Sequence, residues 1–266
     1  MGRGGIMNSV RVKNNDNPCS IITSIPHSAS NITLEMKKNM KKGIIFANND
    51  WFLNELYDFL GELNINSVSA NYSRYVIDVN RDIKNKYIHD EYTKSLVYYR
   101  TTFNRKIYDR ELDKSTIEDR IEKIYKPYHL SLYEEINKIL RVKGRVYLFD
   151  LHSFFEQSRA DIIIGTRGGK TCSTDFLKLI YDSFSDSGFN VKVDEKGLRG
   201  GYITAHYGSI DHVQAVQIEI RYTAYIENRY FGEEEIQNVD YKLFNDAKMR
   251  LHGAFLKIKK GCDELA

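Results

Sequence analysis

Apolar residues along this chain recur with two different periods, and the way the two alternate predicts the architecture. Cys19–Ile25 is a short β-branched run that closes on Pro26, which predicts a buried strand. Arg145–Phe149, Asp161–Ile164 and Phe189–Val193 are comparable runs, and Val213–Tyr222 is expected to be a central strand. Val68–Ala70 and Tyr75–Val79 predict strands on either side of a turn at Asn71–Ser73, and Tyr202–His206 predicts another after Gly200-Gly201.

Between these runs the period lengthens. Leu34–Met40 reads as a short helix, and Trp51–Leu60 places Phe52, Leu56, Phe59 and Leu60 at helical spacing behind Asn49 or Asp50 as N-cap. Ser115 with Glu118 has the form of a capping box. Ile117, Ile121, Ile124, Leu132, Ile136 and Leu140 then continue a long helix that Pro127 should kink or divide. Ser173–Phe184 and Tyr241–Lys259 predict two further helices, the second closing the chain. Residues 82–114 are charged and Tyr-rich with weak periodicity and read as an elaborated loop or short hairpin. Residues 1–17 read as a loose leader ahead of a single domain over 18–266. Strands alternating with helices imply an α/β domain with a mixed, mainly parallel sheet covered on both faces.

Composition narrows the function classes. Lys and Arg number 39 against 36 Asp and Glu, a net charge of +3. That balance argues against nucleic acid as a partner, and the Lys37, Lys38, Lys41, Lys42 cluster reads as a solvated helix end. No run approaches the roughly 20 apolar residues of a membrane span, so no membrane partner is expected. The three cysteines, Cys19, Cys172 and Cys262, have neither zinc-knuckle nor disulfide spacing, and the N-terminus lacks the apolar core of a signal peptide. A reducing, cytoplasmic setting is the expectation.

In open α/β sheets, sites gather at the carboxyl ends of the strands. His27 follows the first strand and His152 a middle one, so the two can meet on a divalent metal, with Asp150 orienting His152. A histidine in such a place is also compatible with a purely structural role. In Gln217-Ile218-Glu219-Ile220-Arg221, alternation puts Gln217, Glu219 and Arg221 on one face of a buried strand. Glu219 is then either part of a structural network with Arg221 or Gln217, or a general base with a raised pKa. Asn80-Arg81, ending the Tyr75–Val79 run, suits a substrate carboxylate, or else a salt bridge to Asp78 or Asp82. Gly165-Thr166-Arg167-Gly168-Gly169-Lys170 lacks phosphate-loop spacing and reads as a flexible loop near the site.

In this order, Ile25-Pro26-His27-Ser28, Asp50-Trp51 with Glu55-Leu56-Tyr57, Ser73-Arg74 with Asp78-Val79-Asn80-Arg81, and Asp150-Leu151-His152-Ser153 resemble the N-formylglutamate amidohydrolase family. Weaker matches follow at Lys126-Pro127-Tyr128-His129, Gly165 with Cys172, Gly200-Gly201-Tyr202 and Gln217-Ile218-Glu219, so the resemblance runs from about residue 20 to the closing helix. It implies a three-layer α/β/α fold similar to zinc carboxypeptidases and aspartoacylase-like deacylases. It also implies hydrolysis of an amide in a small acidic N-acyl amino acid such as N-formylglutamate. On that resemblance His27 and His152 are ligands of Zn2+ or another divalent metal and Glu219 is the general base. Asn80 and Arg81, joined by Arg74, hold the substrate carboxylate. The carboxypeptidase relatives carry an acidic ligand three residues after the first histidine, where this chain has Ser30. Asp50 is the expected substitute, its competing role being the helix N-cap. Two alternatives stay open: a hydrolase of another acyl-amino acid or peptide, and a binding protein on the same fold that lacks catalysis.

Overall fold

The computed structural model describes residues 8–89, 91–155 and 158–265. Its frame is a seven-stranded sheet built from β1 (Val10–Lys13), β2 (Ile21–Ile25), β3 (Asn66–Ala70), β4 (Val146–Phe154), β5 (Ile162–Gly165), β6 (Val191–Val193) and β7 (Val213–Arg221), in the order β1-β3-β2-β4-β7-β5-β6. β3, β2, β4 and β7 are mutually parallel, while β1 pairs antiparallel with β3 and β5 antiparallel with β7. The mixed, mainly parallel α/β domain expected from the periodicity is therefore present.

Seven α-helices are found among the described residues: α1 (Leu34–Asn39), α2 (Leu53–Leu56), α3 (Lys114–Arg120), α4 (Lys126–Lys143), α5 (Thr174–Ser185), α6 (Tyr202–Tyr207) and α7 (Tyr241–Glu264). None is long and apolar enough to cross a membrane. One face of the sheet presents Tyr147, Phe149, Leu151, Val216, Ile218 and Ile220 to a core shared with α2, α5 and α7. The other presents Val146, Leu148, Val213 and Ala215 to α3, α4 and α6. Each Val, Leu, Ile or Phe among them, withdrawn from water, contributes roughly 1.5–3 kcal/mol.

Several local expectations are corrected. Val10–Lys13 lies inside the segment read as a loose leader, yet it is an edge strand whose alternating Val-Arg-Val-Lys buries Val10 beside β3. Residues 1–7 of that segment lie outside the described residues. Tyr75–Val79 is buried but lies in turns rather than a strand, and Asp78 N donates to the Leu96 carbonyl (2.8 Å) instead of joining the sheet. Tyr202–His206 lies in α6, with Gly201 as N-cap, rather than in a strand. Trp51–Leu60 is broken into α2 and a 3-10 turn at Asp58–Gly61. Phe52, at φ 58°, occupies the N-cap of α2 without any side-chain cap. Ser115 falls inside α3, whose N-cap is Asp113, so the expected capping box does not form.

The division at Pro127 takes a specific form. Between α3 and α4, Ile121–Tyr125 makes a single π-helical turn, and the proline follows at the start of α4. Proline lacks the N–H that an uninterrupted α-helix would use, and a wider turn absorbs the mismatch. Three residues at the end of that turn and just beyond it reach toward one end of the sheet. Tyr125 donates to the Arg81 carbonyl (2.8 Å), the Tyr128 hydroxyl lies 2.8 Å from Ser24 Oγ, and His129 Nε2 lies 2.9 Å from the Val79 carbonyl.

Candidate active site

The register of the central strands assembles a polar ledge. Ser24 of β2 lies beside Asp150 of β4, Asp150 beside Gln217 of β7, and His152 beside Glu219. In a parallel pair, neighbours in register point to the same face, so these side chains share the face that α4 covers lower down. His27, two residues beyond β2, completes the group. All of them are buried.

His27, Asp50 and His152 each offer one ligand atom, and the three atoms lie within 4.8 Å of one another. His152 Nδ1 is 2.9 Å from Asp50 Oδ2, and His27 Nδ1 is 3.6 Å from the same oxygen. A tetrahedral ion with bonds of about 2.0–2.1 Å spaces its ligands about 3.3 Å apart, which these separations bracket. The far nitrogens are held by carboxylates: His27 Nε2 donates to Asp78 Oδ1 (2.7 Å) and His152 Nε2 to Asp150 Oδ2 (2.9 Å). Such contacts orient a metal-binding imidazole and fix the tautomer that leaves Nδ1 free. His27 Nδ1 is buried with no hydrogen-bond partner among the described residues. An orphaned ring nitrogen facing a carboxylate and a second imidazole fits a divalent cation.

Electrostatics agrees with this arrangement. Burial alone would raise the Asp50 carboxyl, but the hydrogen bond from His152 and the nearby His27 ring outweigh it and hold the group ionised below the usual carboxylate range. Burial would likewise lower His152, yet Asp150 and Asp50 raise it well above the ordinary imidazole value. A cation bound at Nδ1 would displace that proton. Asp78 is held well below its usual range, burial being overcome by His27, Arg81 and Arg74.

Glu219 stands beside this group, next to His152 in the register of β4 and β7. Gln217 Nε2 donates to its Oε1 (2.7 Å), while its Oε2 is buried with no partner among the described residues. Burial pushes the carboxyl up to about 8, against the pull of His152. Arg221 reaches the Arg159 carbonyl at 3.5 Å, and no ion pair to Glu219 forms among the described residues. Of the two structural networks open to Glu219, the one with Gln217 is present and the one with Arg221 is not.

These groups open into a cavity of about 890 Å³, lined among others by His27, Asp50, His152, Glu219, Arg74, Arg81 and Arg167. The profile of the N-formylglutamate amidohydrolase family matches residues 19–226, from β2 to just past β7. The chain belongs to that family. The N-formylglutamate deformylase of Pseudomonas aeruginosa is 28% identical over 222 residues, 79% of this chain and 83% of its own length. The N-formylglutamate deformylase of Pseudomonas putida is 29% identical over 223 residues, 78% of this chain and 82% of its own. The crystal structure of N-formylglutamate amidohydrolase from Ralstonia eutropha JMP134 shares the fold, with a TM-score of 0.77 at 21% identity over 96% of this chain and 100% of that one.

In this member of the N-formylglutamate amidohydrolase family, the residues expected to form a carboxylate clamp are placed unequally. Arg74 lines the cavity but donates to Asp78 Oδ2 (2.9 Å) and to the Tyr98 hydroxyl (3.2 Å). Arg81 donates to the Asn80 carbonyl (3.0 Å) and leans toward Asp78 Oδ2 at 3.8 Å. Asn80 departs from the expectation that its amide is free for substrate. Its Oδ1 accepts from Ile203 N (2.8 Å), and its Nδ2 donates to Asp150 Oδ2 (3.4 Å) beside the His152 ring. Gly201 packs so closely here that a Cβ would stand 2.5 Å from the Asn80 amide. Asp50 is likewise not the N-cap of α2, since its carboxylate is turned to the two histidines. Sequence reasoning missed Asp78 as the partner of His27. Its signal was an acid buried in an otherwise apolar stretch, Val76-Ile77-Asp78-Val79.

Proposed function

We propose that this chain is a metal-dependent amidohydrolase that removes the formyl group from N-formylglutamate or a closely similar N-acyl amino acid. One observation carries the reading: His27, Asp50 and His152 converge beside a buried Glu219 oxygen that has no partner, all within one cavity. The kinship with proteins named N-formylglutamate deformylase supports the substrate class. Asp50 supplies the acidic donor that Ser30 does not, which weighs against a binding protein that lacks catalysis.

A divalent cation such as zinc, when bound, polarises the amide carbonyl and lowers the pKa of water from 15.7 to about 7. The remaining work belongs to the chain. Gln217 fixes Oε1 of Glu219, so Oε2 is the atom that takes a proton from the attacking water and returns it to the departing amine. The products are formate and the free amino acid. Burial holds this carboxyl up at about 8 even against the pull of His152, and a divalent cation bound beside it would favour the ionised form that a base needs. Arg81, with Arg74 behind it, holds the substrate carboxylate and converts binding into orientation. Asn80 acts through Asp150 and His152 as a positioning residue.

The cavity volume, about 890 Å³, lies toward the upper end of the roughly 300–1,000 Å³ typical of small-molecule sites. That room favours, as a second reading, a larger acyl-amino acid or short peptide. Both readings are tested on zinc-loaded protein by measuring bound metal per chain and formate release from N-formylglutamate. One ion per chain and steady turnover are expected, and His27→Ala or His152→Ala should lose both. Stoichiometric metal with no release from any N-formyl or N-acyl amino acid would refute the hydrolase.

A further inference from the structure

Four permanently cationic side chains line the cavity: Arg74, Arg81, Lys94 and Arg167. Three of them already face a carboxylate of the chain. Arg74 and Arg81 turn toward Asp78, and Lys94 pairs with Glu91 at 2.6 Å. Arg167 makes no ion pair among the described residues, and its one side-chain hydrogen bond runs from NH1 to the Gly200 carbonyl (3.1 Å). Like Lys94 it is exposed, and it alone of the four has no carboxylate in an ion pair among the described residues.

The loop that carries Arg167 is built rather than slack, contrary to the flexible loop expected from its glycines. Asp194 accepts from Thr166 N (2.8 Å), Thr166 Oγ1 (2.5 Å) and Gly168 N (3.0 Å), and Thr166 Oγ1 accepts from Gly169 N (2.8 Å). Arg167 itself sits at φ 56°, a left-handed conformation that costs a non-glycine residue and persists where the surroundings enforce it. At its base, Gly165 packs so tightly on the Gly200 turn that a Cβ would stand 2.6 Å from Gly200 N. A strained, clamped loop that presents an unpaired guanidinium to a cavity is preorganised for an anion, because its fork matches a carboxylate without further ordering.

We propose that Arg167 binds a second carboxylate of the substrate and so selects dicarboxylic over monocarboxylic N-acyl amino acids. This rests on the hydrolase reading for its substrate class, but it concerns binding and is testable apart from turnover. Arg81 and Arg167 come from different loops, after β3 and β5, so one acidic group at each accounts for both.

The test uses zinc-loaded wild type, Arg167→Met and Arg167→Lys in two measurements. Calorimetry compares binding of L-glutamate with L-glutamine, and kinetics compares N-formylglutamate with N-formylglutamine. Arg167→Met should lose about 10- to 100-fold of the preference for the acid in both, the range for a charge-assisted hydrogen-bonded pair. The change should appear in KM more than in kcat, with partial rescue by Lys. A wild type that binds glutamate and glutamine alike, or a Met variant that weakens both equally, overturns the proposal. If glutamate binds through Arg167 but no formate is released, the proposal stands and the deformylase reading falls.

Discussion

On β4 and β7 the residues facing α5 and α7 stay apolar through Phe149, Leu151, Ile218 and Ile220, with Ser153 following near the end of β4. On the opposite face the same two strands begin with Val146, Leu148, Val213 and Ala215, and then change to Asp150, His152, Gln217 and Glu219. Both regions are equally withdrawn from water. They differ in what covers them: helices α4 and α6 over the first half of the second face, loops and a cavity over its remainder. Burying ionisable groups is costly unless each is paired or used. Here the pairing is nearly complete, through Asp78, Asp150, Ser24 and Gln217. Among the described residues, His27 Nδ1 and Glu219 Oε2 are buried without partners, as are Arg74 Nε and Arg81 Nε at the cavity wall, and the first two are atoms the proposed chemistry requires. The difference teaches that the polar half is built as the proposed site requires, while the apolar half maintains the sheet.

The strongest way to break the comparison is Glu219→Gln. If the orphaned oxygen is a base, kcat should fall by roughly 100- to 10,000-fold while bound metal is retained, as read by steady-state kinetics and metal analysis on one preparation. The same variant carries a pH signature in metal-free protein. Folded Glu219 keeps its proton to about 8, against 4.5 for the free group. The folded state therefore holds more protons between those values, and stability falls as pH rises through that window. Melting curves of wild type should decline from about pH 5 to about pH 9 more steeply than those of Glu219→Gln. Parallel curves would show that Glu219 does not titrate in this way.

A milder change sharpens the contrast from the groups that support the site. Asp78→Asn keeps the shape but weakens the hold on His27 Nε2, and should reduce zinc affinity by about 10- to 100-fold, measured by competition with a chelator. An unchanged affinity would mean that His27 is oriented by other contacts. Leu148→Ala addresses the apolar half of the same face. It should cost about 2–5 kcal/mol of stability and leave kcat of the folded, zinc-loaded enzyme within a few-fold. A collapse of kcat without loss of stability would erase the distinction between the two halves.

Much of this division was legible in the sequence. Apolar runs marked β2, β4, β5 and β7, and polar residues beside or within them, His27, His152 and Glu219, marked the site, because strand alternation is local. What escaped depended on contacts across the fold. Tyr75–Val79 has strand composition but is buried by loop packing, which no periodicity reports. Tyr202-Ile203-Thr204 has strand-like residues, yet Gly201 and the contact of Ile203 N with Asn80 set it as a helix. Asp50 had two readings of similar appeal, and the N-cap role falls to Phe52, whose left-handed backbone starts the helix two residues later. Asp78 lies 51 residues from His27, so their pairing is a product of topology alone.

The π-helical turn at Ile121–Tyr125 has a consequence for how this chain can change over time. A wider turn places one more residue between α3 and α4 than an α-helix would, and each residue rotates the downstream helix by about 100°. Tyr125, Tyr128 and His129 reach Arg81, Ser24 and Val79 from its far end. Loss of a single codon there would leave both helices intact and turn these three side chains away from the strand ends they brace. Lineages carrying this fold should therefore tolerate replacement within that stretch far better than shortening of it.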